Sequence, residues 1–379
     1  MKKNYLLLFA LLFPLVMCAD KVKINGLWYN LIEKAHVAEV APSDTREYQG
    51  DITIPDSIEY ESITYHVTCI GDNAFKGCTA LKTVHIPNTI TKIGNYAFSD
   101  CLSLSSISIP TSVTSIESYA FSWCTSLSSI IIPNSVDVIA SGTFNACTGL
   151  SSITIPSSIR SIEWDAFYGC DGLSAVHITS LEDWCQIDFH GENPLRYAHH
   201  LFINNEEIKE LIIPNCVTTI NRNAFWGLNI VSLFVPGSVS KIEQSAFIEC
   251  SSLVRIVLSE GLSEIDRVAF ANCPKLEDVY SYSESVPKCL FDAFENSYIE
   301  YCTLHVPEKS IDLYKNSDPW NSFKQIVALT DSDPDPSGVS TIMVDSNKLN
   351  VWYSLNGRRL NDEPKVKGVY IRNGKKVVK

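Results

Sequence analysis

Thirteen cysteines give this 379-residue chain its most reactive side chains. Five of them, Cys78, Cys101, Cys124, Cys147 and Cys170, recur every 23 residues. Such a series suits two chemistries, a disulfide framework or a metal centre. The sequence has no CxxC pair, so a structural zinc site is not expected. A constant period stacks the five side chains one above another, pointing inward. Stacked neighbours at about 5 Å lie within the Cα range for a bridge, but parallel Cα–Cβ vectors suit the S–S dihedral poorly. The expectation is therefore a reduced ladder of small apolar thiols that fills a core.

Other candidate groups are weaker. Cys185, His190, His199 and His200 have metal-ligand types at no known ligand spacing. His199 and His200 would also face opposite ways on a strand, so packing roles are expected. Asp331, Asp333 and Asp335 match the start of a calcium loop, but the sixth position is not glycine and the twelfth is Ile342. That segment, Asp331-Ser-Asp-Pro-Asp-Pro-Ser-Gly338, is expected to be a linker. Nothing resembles a nucleophile elbow, a Walker loop or a dinucleotide fingerprint. An acid pair for glycoside cleavage stays open, although a repeat array offers no enclosed pocket to raise one acid's pKa. The sequence implies no catalytic residue, cofactor or metal ion.

The elements that would position these residues are repeats. Phe75, Phe98, Phe121, Phe144 and Phe167 share the 23-residue period, and Pro87, Pro110, Pro133 and Pro156 keep it too, each after an Ile. A second block resumes at Phe225, Phe247, Phe270 and Phe294, with Cys250 and Cys273 in register and Leu228 in place of a cysteine. Within one unit, Leu104-Ser-Ser-Ile-Ser-Ile-Pro110 ends with period two, so Ile107 and Ile109 point inward from a strand. Pro110 stops that strand because it has no N–H for the ladder. Val113-Thr-Ser-Ile116 makes a second extended turn, and Ala120-Phe121 with Cys124 lies on a brief helical or 3₁₀ arc. One coil cannot bury these side chains, whereas stacked neighbours can. A single continuous parallel sheet is expected, with one short strand per repeat.

The pattern Ile-Pro-x-x-Val-Thr-x-Ile-x-x-x-Ala-Phe-x-x-Cys-x-x-Leu resembles the BspA-like class of leucine-rich repeats, from about Ile52 to Leu329. The resemblance implies a repeat solenoid: a right-handed leucine-rich-repeat coil with a parallel β-sheet on one face and short helical or 3₁₀ arcs. It also implies attachment to host matrix proteins or to other bacteria. The interruption from Leu181 to Ile208, through Trp184-Cys185 and Asn193-Pro194-Leu195, resembles a recurrent feature of the family. It is expected to form two irregular coils (179–209) with a hairpin at Asn204-Asn205. Residues 20–66 and 306–330 are expected to cap a solenoid spanning 67–330. Past the 331–341 linker, Asn356-Gly357 and Asn373-Gly374 signal hairpins in a small β module, 342–379. That module resembles the C-terminal sorting modules of surface proteins linked to type IX secretion.

Lys2 and Lys3 precede an apolar run from Tyr5 to Met17, too short for a membrane span and fitting a signal peptide over residues 1–19. Cleavage after Cys18 or Ala19 fits, and a second reading takes Leu15-Val16-Met17-Cys18 as a lipoprotein box. No later segment is apolar and long enough to cross a bilayer. The formal net charge of −13 argues against nucleic acid and against docking on an anionic membrane. A monomer is expected.

Outward strand positions are where a partner would sit. One outward column reads His85, Ser108, Ile131, Thr154 and His177 in the first block, and Ile212, Phe234, Val257 and Tyr280 in the second. The second run makes an apolar stripe, with Arg255 in the polar column beside it. Exposed, this stripe would suit an extracellular protein or glycan. Covered by the 181–208 segment or by the C-terminal tail, it would be core. Three functions compete on the sequence alone. They are a surface adhesion or interaction protein without catalysis, a carbohydrate-handling enzyme or the surface lipoprotein accessory to it, and a structural surface-layer protein.

Overall fold

The computed structural model describes residues 21–334 except residue 192, together with the backbone of four short strands between residues 352 and 378. The leader assigned to residues 1–19 lies outside the described residues.

The repeat folds as a parallel β-solenoid. Each Leu-x-x-Ile-x-Ile segment forms a strand on one face, as at Ser129–Ile131, Ser152–Ile155 and Ala175–Ile178. These pair in parallel with Ile130 opposite Ile153 and Ile153 opposite Val176, so equivalent residues stack in columns. The Val-Thr-x-Ile segment forms a second, two-residue ladder, as at Ser115–Ile116, Val138–Ile139 and Ser161–Ile162. Each coil thus carries two strands, where the sequence suggested one. An extended segment bounded by Pro on one side and by the arc on the other has no other parallel partner than its copy in the next coil.

The closing arcs are chains of turns rather than helices. In the first arc Ala74 N–H donates to Gly71 O (3.1 Å) and Cys78 N–H to Phe75 O (3.0 Å), while Phe75 N–H donates across to Ala97 O (2.7 Å) and Gly77 N–H to Ser99 O (2.7 Å). The cause is a pair of left-handed residues per arc, four positions apart: Asn73 and Gly77, Tyr96 and Asp100, Tyr119 and Trp123. A left-handed residue breaks the i→i−4 series and turns alternate amides along the solenoid axis, where the next coil supplies the acceptor. Val268 takes this conformation at φ 49°, which is costly for a β-branched residue and marks how firmly the neighbouring arcs impose it.

The sheet is not continuous along the strand face. Its ladder ends after Leu201–Ile203, where the chain reverses at Asn204 and Asn205, both left-handed, and Glu206–Glu207 returns antiparallel. It restarts at Glu210–Ile212 and runs through Ser232–Val235, Arg255–Leu258, Asp278–Ser281 and Thr303–Val306 to Gln325–Ala328. Nearer the N-terminus the regular pairing also lapses between Ser106–Ser108 and Ser129–Ile131.

Phenylalanine columns fill the core. Phe75, Phe98, Phe121, Phe144 and Phe167 stack at 5.1, 5.3, 5.9 and 5.5 Å between ring centres. Phe225, Phe247, Phe270 and Phe294 repeat this at 5.3, 5.2 and 5.3 Å. Between the blocks Trp184 and Phe189 carry the aromatic column through the irregular coils, 5.2 Å apart and both buried. Buried Asn193 donates to Asn223 O (2.9 Å) and Ala224 O (2.7 Å), standing in for the cross-coil amides that the interruption removes. The ends are closed with aromatics as well. Tyr48 lies 5.0 Å from Phe75, beneath strands Lys21–Ile24, Leu27–Ile32 and Val37–Ala41. At the other end Trp320 and Phe323 meet Phe294 edge-on, and Trp320 Nε1–H donates to Pro287 O (3.0 Å).

Beyond residue 334, Trp352–Ser354, Arg359–Leu360, Val369–Arg372 and Lys375–Val378 make an antiparallel sheet. Arg372 pairs with Lys375 across this sheet, and the expected turns at Asn356-Gly357 and Asn373-Gly374 lie outside the described residues.

Candidate functional site

Strand alternation buries one residue and presents the next. In the first block the presented column is open, and Ile131 is 71% exposed with His85 and Ser108 also exposed. His177 is half-buried and stacks on Phe202 at 5.0 Å.

In the second block the register brings the expected stripe together. Ile212 pairs with Phe234, Phe234 with Val257, Val257 with Tyr280, and Tyr280 with His305. Its exposure is that of the covered alternative at three of its four positions. Ile212 is 40% exposed, but Phe234, Val257 and Tyr280 retain only 9%, 5% and 7%. These three form an apolar cluster separate from the solenoid core, with Tyr282 and Leu329 packed against it. The His305 ring stacks on Tyr280 at 4.2 Å. The chain after the last strand folds back here. Leu329 N–H donates to Val306 O (2.8 Å), the Tyr282 hydroxyl donates to Pro334 O, and Asp333 comes to 4.0 Å from His305. Arg255 stays exposed in the adjacent column, with Glu210 exposed and Asp278 half-buried. Asp278 pairs with His305 Nε2 at 3.2 Å. Burial pushes the Tyr280 phenol above its ordinary value, Asp278 adds to the push and Arg255 opposes it.

The cysteine ladder is reduced and inert. Cys78, Cys101, Cys124, Cys147 and Cys170 are buried free thiols. From Cys101 onward each thiol donates to the phenylalanine carbonyl one coil back: Cys101 to Phe75 (3.1 Å), Cys124 to Phe98 (3.2 Å), Cys147 to Phe121 (3.1 Å) and Cys170 to Phe144 (3.1 Å). Burial pushes the Cys147 thiol up to about 12, so the nucleophilic thiolate is absent at neutral pH.

The scattered metal candidates do not converge. Cys185 is core, His190 faces Asp188 (3.3 Å) and Glu163 (3.7 Å), His199 Nδ1 meets Gly227 O (2.8 Å), and His200 pairs with Glu207. No group of three or more His, Cys, Asp or Glu among the described residues is arranged to hold a metal ion. Asp333 closes a local turn by accepting from Thr330 N–H (2.6 Å), and Asp335 lies outside the described residues.

A second surface escaped the sequence argument. Trp123, Trp164 and Tyr168 stand 52%, 60% and 55% exposed on the arcs. Beside them Tyr96 and Tyr119 stack at 5.0 Å, and Lys76 Nζ sits 4.4 Å from the centre of the Tyr96 ring. The Tyr119 ring covers Gly142, where an added Cβ would meet it at 2.2 Å. The available signal was variation. These positions change identity from coil to coil within an otherwise constant unit.

The model of the BspA type leucine rich repeat region matches residues 54–183 and 197–316 in six copies. The chain belongs to this family. Solved structures similar to it include a leucine rich cell surface protein from Faecalibacterium prausnitzii (23% identity, 83% of this chain and 96% of that one, TM-score 0.46). A leucine-rich repeat protein from Bacteroides ovatus aligns at 19% identity over 82% of this chain and 100% of its own, TM-score 0.41. The pneumococcal vaccine antigen PcpA aligns at 16% identity over 82% and 99%, TM-score 0.47. No curated protein matches the chain. The break in the family match, 184–196, falls within the irregular coils that carry Trp184 and Asn193.

Proposed function

We propose that this BspA-type solenoid is an exported surface protein that binds an extracellular protein or glycan through its strand face and performs no catalysis. The observation that carries the reading is the division of labour within each strand. Inward residues are fixed by packing, whereas the outward column varies freely from His85 to Ile131 in one block and from Ile212 to Tyr280 in the other. Repeat solenoids build extended binding surfaces from such columns. Ile131, Ile212 and Arg255 are its exposed members, while Phe234, Val257 and Tyr280 are buried beside them. The buried thiols of the ladder offer no nucleophile at neutral pH.

Export is supported by the basic and apolar start of the sequence. We assign residues 342–379 to sorting or anchoring at the surface. The exposed Trp123, Trp164 and Tyr168 favour a second contact area on the arcs, since such aromatics are common anchors of recognition.

The test is binding of the mature chain to immobilised matrix proteins and to a glycan array. Ile131→Asp with Arg255→Glu should abolish the strongest signal while leaving thermal melting unchanged. Binding to no probe by the mature chain, or full binding by the double variant, would overturn the strand-face reading.

A further inference from the structure

Phe234, Val257 and Tyr280 are buried as a cluster of their own with Tyr282 and Leu329 packed against them, and the chain that leads on from Leu329 carries a segment suited to extend that cover. Residues 342–379 hold nine Lys and Arg against three Asp and Glu, a net charge of +6, while the remainder carries 21 against 40, a net charge of −19. A strongly basic segment tethered to a strongly acidic body is drawn to it within a Debye length, about 8 Å at physiological salt. The segment also brings apolar types suited to the stripe, including Trp352, Tyr353, Val369, Tyr370 and Ile371.

The chain is already led to the place. Pro334 is held by the Tyr282 hydroxyl, and Asp333 lies beside His305, which stacks on Tyr280. Tyr280 and Phe234 are two coils apart, roughly 10 Å at the spacing of paired strands. Seven residues, 335–341, separate Pro334 from the basic segment, and such a tether spans up to roughly 25 Å when extended. It therefore reaches the whole stripe without strain. A tether this short also raises the local concentration of the segment to about the millimolar range, so even a weak contact is populated.

We propose that the stripe of Ile212, Phe234, Val257 and Tyr280 is the docking seat of the chain's own basic C-terminal segment, 342–379. The segment then covers the strand face of the second block, and a partner that uses the stripe competes with it. That last consequence rests on the strand face being the binding face; the docking itself does not.

The experiment uses the full mature chain with a specific protease site placed within 335–341. After cleavage, size-exclusion chromatography with light scattering reports whether the fragment 342–379 stays with the solenoid. Retention in a complex of one solenoid and one fragment at low ionic strength is expected, with loss of most of the fragment near about 1 M salt, where the Debye length falls to roughly 3 Å. Arg372→Glu with Lys375→Glu and Lys376→Glu should release the fragment without touching the solenoid. Ile212→Lys, at the exposed margin of the stripe, should weaken retention while the solenoid melts as before. A fragment that elutes free at low salt overturns the proposal, and so does retention unchanged in both variants. Retention only in particles of twice the mass would place the segment on a second copy and overturn the intramolecular seat. Probe binding by the fragment-free solenoid is measured separately, so a failed seat leaves the binding reading standing.

Discussion

The strand faces of the two blocks have the same backbone and different fates. Ser129–Ile131 and Arg255–Leu258 belong to equivalent ladders with inward aliphatic columns, Ile130 and Ile132 in one, Ile256 and Leu258 in the other. In the first block the outward position is open, with Ile131 71% exposed. In the second it is buried, with Val257 at 5%. The inward columns make the solenoid, and the outward columns decide what lies on it.

The largest effect should fall on what the two blocks share. Phe121→Ala in the first and Phe247→Ala in the second should each cost about 3–5 kcal/mol, because both rings are fully buried between stacked neighbours. Denaturant unfolding of each variant measures it, and a block that tolerates the change would not be built on its aromatic column. Next come the outward residues, where the blocks should part. Phe234→Ser with Tyr280→Ser should destabilise by about 2–4 kcal/mol, less than a core ring because the cluster is separate and covered from one side. His85→Ser with Thr154→Ser should change stability by less than about 0.5 kcal/mol, as for other surface substitutions. Equal melting shifts for the two pairs would erase the contrast.

A pH titration probes both thiol columns together. Burial raises Cys147 and Cys273 to about 12 from an ordinary 9.0, and Cys78 to about 11. A thiol raised in the folded state keeps its proton after the unfolded chain has lost it. Stability should thus be intact below pH 9 and fall continuously as pH rises from 9 to 12, since Cys124 and Cys250 are raised further still. Melting temperature against pH reads this directly. At pH 8, native thiol labelling should find Cys216, the exposed cysteine of the described residues, well before the ladder.

The smallest effect separates the blocks again. Ser158 Oγ donates to Val136 O at 2.6 Å, whereas the equivalent Ser238 hydroxyl is buried without a partner among the described residues. Ser158→Ala should cost about 0.5–1.5 kcal/mol and Ser238→Ala should be neutral or stabilising, since it removes an unpaired polar group. Chemical denaturation of the two variants side by side would show whether the hydroxyls differ.

Much of this molecule is determined by sequence alone, because a constant period places the same side chain at the same point of every coil. The inward columns of Phe, Cys and Ile, the reduced state of the thiols and the turn at Asn204-Asn205 follow from that periodicity and from local backbone preference. The conformation of the arcs does not. Tyr96, Tyr119 and Val268 have no intrinsic liking for left-handed backbone, and they adopt it because the adjacent arcs offer carbonyls along the axis. The same holds for the stripe. Ile131 and Val257 look alike in their own strands, and nothing local tells which will meet water. The difference comes from packing such as that of Leu329 and Tyr282 on the second stripe, a contact between residues far apart in the chain that no repeat period encodes.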